Sequence, residues 1–273
     1  MKKYAYFFNW ILSRRYDIIV EGKDVLKGGG SRLYLPNHQA EVDPMILMTE
    51  IVKQHNVAPM ISAQYYNLPI IKHYMKKLGA VAVADLDQGV RDVSVMDTIR
   101  DGAKSAFSEG SSILLYPAGQ LASQGYEKIF NKQSAYSLVN DSDDNLKIIG
   151  VRIYGLWGSI WSRAWLGVSP SFFPVFLKSI FFFFSNLIFF LPKREVRIEF
   201  HDITNEAKEK AKSLRRREFN EYLEEFYNVN GEEKLRYIKH HFLQGKLNKK
   251  MPNKIKGIIS SSTKEIEFTK LSD

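Results

Sequence analysis

Short apolar runs along the chain alternate with longer segments whose apolar residues recur at helical spacing. Such short runs are typical of buried strands, and the longer periodic segments are typical of amphipathic helices. The predicted strands span residues 16–21, 32–35, 58–63, 79–84, 112–116, 146–154 and 194–202, and the predicted helices span 44–54, 68–78, 90–108, 205–227 and 232–243. This alternation predicts an α/β fold with a mixed, mostly parallel sheet flanked by helices.

Two apolar segments stand apart from this alternation. Residues 1–15 combine aromatic side chains with basic flanks and lack a signal-peptide cleavage site, which favours an interfacial helix; a helix packed on the core is the alternative. Residues 172–191 approach the length of a membrane-spanning helix, but Pro174, Lys178 and Asn186 interrupt them. We therefore expect residues 172–191 to contact or re-enter a membrane, with a buried helical hairpin as the alternative.

These segments define the predicted organisation of the chain. The N-terminal helix (1–15) precedes one main domain (16–243), which contains the membrane-associated segment (172–191) and ends with C-terminal helices (205–243). Residues 244–273 are rich in Lys, Asn and Ser and are predicted to be a tail or linker.

The net charge of +9 and the pI of about 9.4 favour a polyanionic partner, such as nucleic acid, anionic lipid headgroups or an acidic carrier protein. Aromatic residues are concentrated in apolar runs and are not interleaved with basic ones, and no nucleic-acid-binding motif is present, so we expect no nucleic-acid partner. The absence of cysteine excludes disulfides and thiolate chemistry.

Residues 33–44 carry the first candidate chemistry. A strand-like run ends at Pro36, a turn contains His38, and the pair Asp43-Pro44 opens the next apolar segment. A histidine backed by a carboxylate can take a proton from a hydroxyl, so His38 is a candidate general base with Asp43 as its partner. Asp before Pro is also typical of a helix N-terminus, which makes an N-cap role for Asp43 the alternative.

The same spacing of a histidine and a carboxylate occurs a second time, between His201 and Glu206. His201 ends an alternating strand and Glu206 lies in the next charged helix, so we interpret this second match as fortuitous. Spacing alone therefore does not identify the reactive pair.

Three blocks of the sequence together resemble a known family. Asn37-His38, followed after four residues by Asp43-Pro44, resembles the first block of the glycerolipid acyltransferases of the 1-acylglycerol-3-phosphate acyltransferase type. Residues 116–120 (Tyr-Pro-Ala-Gly-Gln) resemble the family's Phe-Pro-Glu-Gly-Thr-Arg block, and residues 148–153 resemble its final strand block. The resemblance extends from about Tyr16 to His201, and the order of the blocks is more specific than any one of them.

Two further segments are most similar to the acyltransferase domain of the bifunctional 2-acylglycerophosphoethanolamine acyltransferase/acyl-carrier-protein synthetases. These segments are Lys128-Ile129 and the turn at residues 152–155. In those proteins an adenylate-forming domain follows, so the resemblance implies a fused or separate acyl-activating domain as a partner.

The resemblance implies an O-acyltransferase that needs no cofactor or metal. His38 would act as general base on the acceptor hydroxyl, Asp43 would orient the imidazole, and backbone N–H groups around Gly119 would stabilise the oxyanion. The donor would be a fatty acyl thioester of acyl carrier protein or coenzyme A. The implied substrate-binding residues are Asn37, Tyr116, Pro117, Gly119, Gln120, Lys128 and Arg152.

The third block departs from the family pattern, because it has Ala118 and Gln120 and lacks the family's Glu and Arg. Those charges are associated with the acceptor's phosphate, so their loss favours a lysophospholipid with a headgroup over lysophosphatidic acid. A lysophosphatidic acid acyltransferase and a non-catalytic membrane-binding scaffold on the same fold are the alternatives, whereas a soluble hydrolase would need a Gly-x-Ser-x-Gly elbow that is missing. We expect the enzyme at the cytoplasmic face of the cell membrane.

Overall fold

The computed structural model of the protein describes residues 2–83, 93–189 and 193–241. Within these residues one seven-stranded sheet has the order β1-β7-β6-β2-β5-β3-β4. Its strands are β1 (Tyr16–Glu21), β2 (Arg32–Pro36), β3 (Val57–Ser62), β4 (Val81–Val83), β5 (Ser112–Leu114), β6 (Lys147–Tyr154) and β7 (Arg194–Asp202). Every neighbouring pair is parallel except β6 and β7, which run antiparallel. The predicted mixed, mostly parallel sheet is therefore confirmed.

The described helices cover both faces of the sheet. They are α1 (Lys2–Arg15), α2 (Asp43–Ile51), α3 (Ala63–Tyr66), α4 (Pro69–Lys77), α5 (Val93–Ser108), α6 (Ser134–Asn140), α7 (Phe172–Ser185), α8 (Thr204–Ser213) and α9 (Arg216–Tyr227). One buried cluster packs α5, α6, α8 and α9 on one face, and a second packs α1 and α2 on the other, with the first turns of α7 against it. The central strand β2 is buried along its whole length because it contributes side chains to both clusters.

Several elements differ from the sequence-based prediction. The single helix predicted over residues 205–227 is two helices, because the backbone is extended at Leu214 and the Glu218 carboxylate accepts the Arg215 N–H to start α9. The helix predicted over residues 232–243 is wrong for residues 232–241, which have no regular structure. Helices α3 and α6 were not predicted, since each has no more than seven residues. The predicted tail, 244–273, lies outside the described residues.

Helices α1 and α7 lie beside each other and share an exposed aromatic surface. Ala5 and Leu12 of α1 are buried, so this helix packs on the core, and its Trp10 ring lies 6.5 Å from the Phe183 ring of α7. This surface, the aromatic face, consists of the exposed side chains of Tyr6, Phe7, Trp10, Phe173, Leu177, Ile180, Phe181 and Phe184. None of the helices in the described ranges is both long and apolar enough to cross a membrane.

Candidate active site

The loop between β2 and α2 lies at the carboxyl end of the central strand, where α/β proteins commonly place reactive groups. Asn37 fixes the start of this loop to strand β6. Its side-chain amide donates to the Ile153 carbonyl (2.9 Å), and its side-chain oxygen accepts the Ile153 N–H (2.7 Å). Asn37 is buried and holds the loop on the sheet; its predicted contact with substrate stays a prediction.

His38 and Asp43 meet across the loop. The imidazole Nδ1 of His38 lies 3.1 Å from Oδ2 of Asp43, and the same oxygen accepts the N–H groups of Gln39 (2.6 Å) and Ala40 (3.0 Å). With Nδ1–H donating to the carboxylate, the free Nε2 of His38 is the atom that can accept a proton from a hydroxyl. This is the geometry that a general base with an orienting carboxylate requires.

Asp43 does not act as the N-cap that its position before Pro44 suggests. It is the first residue of α2 and caps no helical N–H of α2; its Oδ2 turns back to the preceding loop. Burial raises the pKa of Asp43, and the hydrogen bonds from His38, Ala40 and Gln39 oppose that rise. Its Oδ1 atom is also buried and has no hydrogen-bond partner within the described ranges.

Three neighbours fix the position of His38. The centroid of the Tyr116 ring lies 4.2 Å from that of the His38 imidazole, and the two ring planes are 35° apart. The predicted contact of Tyr116 with substrate stays a prediction. The backbone N–H of His38 donates to Oε2 of Glu127 (2.9 Å), and the backbone carbonyl of His38 accepts the Ala122 N–H (2.6 Å). The His38 side chain keeps 14% of its surface exposed, so the imidazole remains accessible while its backbone is fixed.

Two buried glutamates beneath the loop were missed by sequence reasoning. Glu127 accepts the His38 N–H, and Glu233 accepts from the Gln39 side chain and from the Gly155 N–H (2.9 Å). Burial raises the pKa of Glu127 well above its usual value and the pKa of Glu233 to about 7. Neither residue belongs to a recognisable motif, and Glu233 lies 194 positions from Gln39, so no local pattern could have indicated them.

The third sequence block forms the turn after β5. Pro117 is buried, Gly119 is exposed with φ +60°, and Gln120 is partly buried. The Gly119 N–H donates to the Tyr116 carbonyl (3.0 Å), so it closes the turn and is already hydrogen-bonded within it. The expectation that backbone groups around Gly119 form the oxyanion site is therefore corrected for the N–H of Gly119 itself.

Lys128 and Arg152 occupy ion pairs. Lys128 Nζ lies 2.6 Å from the Glu224 carboxylate, and Arg152 lies 3.1 Å from Glu199 with its guanidinium over the Phe226 ring. Glu224 and Phe226 belong to α9, and Glu199 belongs to strand β7, which pairs with β6. The structure shows no contact of either residue with His38, and their predicted role in binding substrate stays a prediction.

Among residues 2–83, 93–189 and 193–241, no group of three or more His, Asp and Glu side chains is arranged to hold a metal ion. The chemistry available in the described part of the site is proton transfer at His38.

The sequence from residue 17 to 154 matches the model of the family described as Acyltransferase, over just over half of the chain. The chain belongs to the Acyltransferase family. The matched range contains the His38–Asp43 pair, the turn after β5 and strand β6, whereas Glu233 lies beyond it. The protein is accordingly an O-acyltransferase.

Among solved structures, this acyltransferase is similar to the 1-acyl-sn-glycerophosphate (LPA) acyltransferase PlsC from Thermotoga maritima. The TM-score is 0.53 and the sequence identity 19%, and the match covers 83% of this chain and 74% of PlsC. At this identity the likeness shows the fold. No match was found among curated protein sequences.

Proposed function

We propose that this acyltransferase moves a fatty acyl group from an acyl thioester to the free hydroxyl of a lysophospholipid. The His38–Asp43 pair supports the proposal most directly, since its geometry suits a base that acts on a hydroxyl. Nε2 of His38 takes the hydroxyl proton as the oxygen attacks the thioester carbon. When the tetrahedral intermediate collapses, the thiolate leaves and receives that proton, while Asp43 stabilises the imidazolium in between.

A lysophospholipid that carries a headgroup is the proposed acceptor. Ala118 is buried and uncharged in the turn after β5, where the resembling family has a glutamate. A phosphodiester carries one negative charge and needs fewer cationic partners than the phosphomonoester of lysophosphatidic acid. The second candidate is lysophosphatidic acid itself, which the similarity to PlsC favours.

Acyl carrier protein or coenzyme A is the proposed carrier of the acyl group. The net charge of +9 suits the acidic surface of a carrier protein as well as the phosphates of coenzyme A. An acyl-activating domain, fused or separate, would supply the thioester. Raising the salt concentration should weaken the use of acyl carrier protein strongly if surface charge guides its docking.

The aromatic face is proposed to bind the cytoplasmic surface of the cell membrane. Its Phe181 and Phe184 side chains are 65% and 67% exposed on α7, a degree of exposure that large apolar side chains rarely show in a patch without a partner. Aromatic side chains also favour the membrane interface. The same helix begins at Phe172, whose ring lies 5.8 Å from the Tyr65 ring, so the face continues toward the active-site loop.

Acyl transfer from a labelled thioester to a panel of lysophospholipids tests the proposed reaction. The wild-type protein should form diacyl product from lysophosphatidylethanolamine more efficiently than from lysophosphatidic acid, and His38→Ala should be slower by about 10³-fold or more. A clear preference for lysophosphatidic acid would show that it is the acceptor and that a lysophospholipid with a headgroup is not. If neither the acyl-carrier-protein thioester nor the coenzyme A thioester gives product, the non-catalytic membrane-binding scaffold is favoured.

Sedimentation with phospholipid vesicles tests the proposed membrane contact separately. The double variant Phe181→Ser/Phe184→Ser should lose most vesicle binding, because two exposed apolar rings no longer enter the interface. Val229→Ser is the matched control, since Val229 is 57% exposed but lies outside the aromatic face. Equal binding by both variants would contradict the proposal.

A further inference from the structure

An antiparallel bridge brings two oppositely charged side chains together beside His38. Ala40 pairs with Ser162, and the Glu41 N–H donates to the Trp161 carbonyl (3.1 Å). This bridge ties the active-site loop to the segment after β6, so Glu41 and Arg163 follow directly on paired residues. Burial raises the pKa of the Glu41 carboxyl, and the charges of His38 and Arg163 oppose that rise.

The Glu41 carboxylate is held in place but has no cationic partner at contact distance. The Tyr65 hydroxyl donates to its Oε1 atom (3.0 Å), and the rest of the side chain is partly buried. No Lys, Arg or His nitrogen within the described ranges lies within 4.0 Å of it, unlike the acidic side chains that the structure pairs on α9. A carboxylate fixed in this way near the reacting base is ready to receive a cation.

Arg163 is fixed on two of its three guanidinium nitrogens. Its Nε donates to Ser169 Oγ (3.1 Å) and its Nη1 donates to the Leu121 carbonyl (3.2 Å). Its Nη2 has no hydrogen-bond partner within the part of the chain that the structure describes. Leu121 directly follows the turn after β5, so the guanidinium is held by the same loop that carries the third sequence block. A partly exposed guanidinium held in a plane can bind a phosphate oxygen.

We propose, on the basis of the proposed acyl transfer to a lysophospholipid, that Glu41 and Arg163 form the site for a zwitterionic headgroup. Arg163 binds the phosphodiester of the acceptor and Glu41 binds the ammonium group that the phosphodiester carries. The pair thereby selects an acceptor with a primary ammonium over one with an uncharged headgroup.

The surroundings of the pair place the rest of the acceptor. Tyr65, which holds Glu41, packs on Phe172, and the Phe172 ring also lies 5.7 Å from Trp161 and stacks on Phe176 at 5.8 Å. This aromatic row leads from the charged pair to the aromatic face on α7. An acceptor bound with its headgroup at Glu41 and Arg163 can therefore keep its acyl chain along apolar side chains.

Steady-state kinetics with two acceptors test the inference. Lysophosphatidylethanolamine and lysophosphatidylglycerol share the phosphodiester and differ in the ammonium group. Glu41→Gln keeps an oxygen that can accept from Tyr65 but removes the charge, and should raise KM for lysophosphatidylethanolamine about tenfold while leaving KM for lysophosphatidylglycerol within about twofold. Arg163→Met should raise KM for both acceptors. The controls are Glu221→Gln and Arg217→Met, which remove the same charges from an exposed ion pair on α9.

The ratio of kcat/KM for lysophosphatidylethanolamine to kcat/KM for lysophosphatidylglycerol separates headgroup binding from an effect on His38. A change in the basicity of His38 would lower kcat for both acceptors by the same factor, so the ratio would not move. If Glu41→Gln leaves the ratio unchanged, or Arg163→Met leaves both KM values unchanged, the inference is wrong although the proposed function stands. A wild-type protein that acylates neither lysophospholipid would overturn the proposed function itself.

Discussion

The chain contains two histidines that precede a carboxylate by five positions, and the structure treats them differently. His38 and Asp43 are joined at 3.1 Å across a loop whose amides point at the same carboxylate oxygen. His201 lies at the end of strand β7, and its Nε2 is 3.4 Å from Glu199, which is two residues earlier on the same strand; Glu206 lies in α8. Equal spacing thus produces a paired histidine and carboxylate in one region, whereas in the other the histidine contacts a different carboxylate, Glu199.

The difference comes from what the backbone between the two residues does. Between His38 and Asp43 the chain forms a loop that folds back, so the Gln39 and Ala40 amides hold the carboxylate under the imidazole. After His201 the chain passes directly from strand β7 into helix α8, and the imidazole contacts Glu199. A reactive pair is therefore recognised by the loop that closes it.

The largest effect is expected from His38→Ala. Removing the imidazole removes the proton acceptor, so kcat/KM for acyl transfer should fall by about 10³-fold or more. Circular dichroism should show an unchanged fold, because the His38 side chain is partly exposed and its structural bonds are made by its backbone. Retention of more than a tenth of the activity would show that His38 is not the base.

Asp43→Asn should have the next largest effect. An amide oxygen can still accept from the imidazole and the two loop amides, but the negative charge that stabilises the imidazolium is lost. We expect kcat to fall about 10²- to 10⁴-fold with little change in KM. If kcat stays within threefold of the wild type while the melting temperature falls, Asp43 has only a structural role.

Glu233→Gln should have a smaller effect on activity and a diagnostic effect on stability. The carboxylate accepts two N–H groups, and the new amide must turn an NH₂ toward one of them, so we expect about a tenfold loss of kcat. The wild-type native state keeps a proton on Glu233 up to a pH of about 7, whereas the unfolded chain releases it near 4.5. The free energy of unfolding should therefore decrease as the pH rises between these values.

Urea titrations at several pH values check that dependence. Subtracting the curve of Glu233→Gln from that of the wild type removes the contributions of the other buried carboxyls, whose pKa values are also raised. The remaining difference should fall as the pH rises from 5 to about 7 and then level off. A flat difference would mean that Glu233 is ionised throughout.

The smallest effect is expected from His201→Ala. The His201 side chain is 38% exposed and contacts Glu199 and the Phe226 ring, so the free energy of unfolding should change by less than about 1 kcal/mol. Acyl transfer should stay within about twofold of the wild type. A large loss of kcat in this variant would remove the contrast between the two histidines.

The layout of the fold and the reactive pair follow from local signals in the sequence. The short apolar runs predicted the strands, and the helical spacing of apolar residues predicted most of the longer helices. The strand-loop-helix pattern around Pro36 and Pro44 predicted that His38 follows the end of a strand. The role of Asp43 was not decided locally, because Asp before Pro is equally suited to capping a helix. Only the backbone path from 37 to 42 shows that its carboxylate turns away from α2.

The parts that the sequence did not predict depend on contacts between distant residues. The segment after α9 was predicted to be helical from its apolar spacing, but its backbone groups bond elsewhere: the Glu233 N–H donates to Gly125, and the Arg236 carbonyl accepts from Arg194. These tertiary bonds replace the helical ones over residues 232–241. For the same reason the ion pairs of Lys128 and Arg152 could not be read from the blocks in which they occur.

The bonds that hold the active-site loop have a consequence for how the protein is made. His38 and Asp43 are close in sequence and are synthesised before the partners that fix their loop, which lie 89, 116 and 194 positions further along the chain. Such distant closures are the slow and entropically costly part of folding. A nascent chain can therefore carry both reactive residues before their loop is fixed, and the last of these bonds can form only after residue 233 has been synthesised.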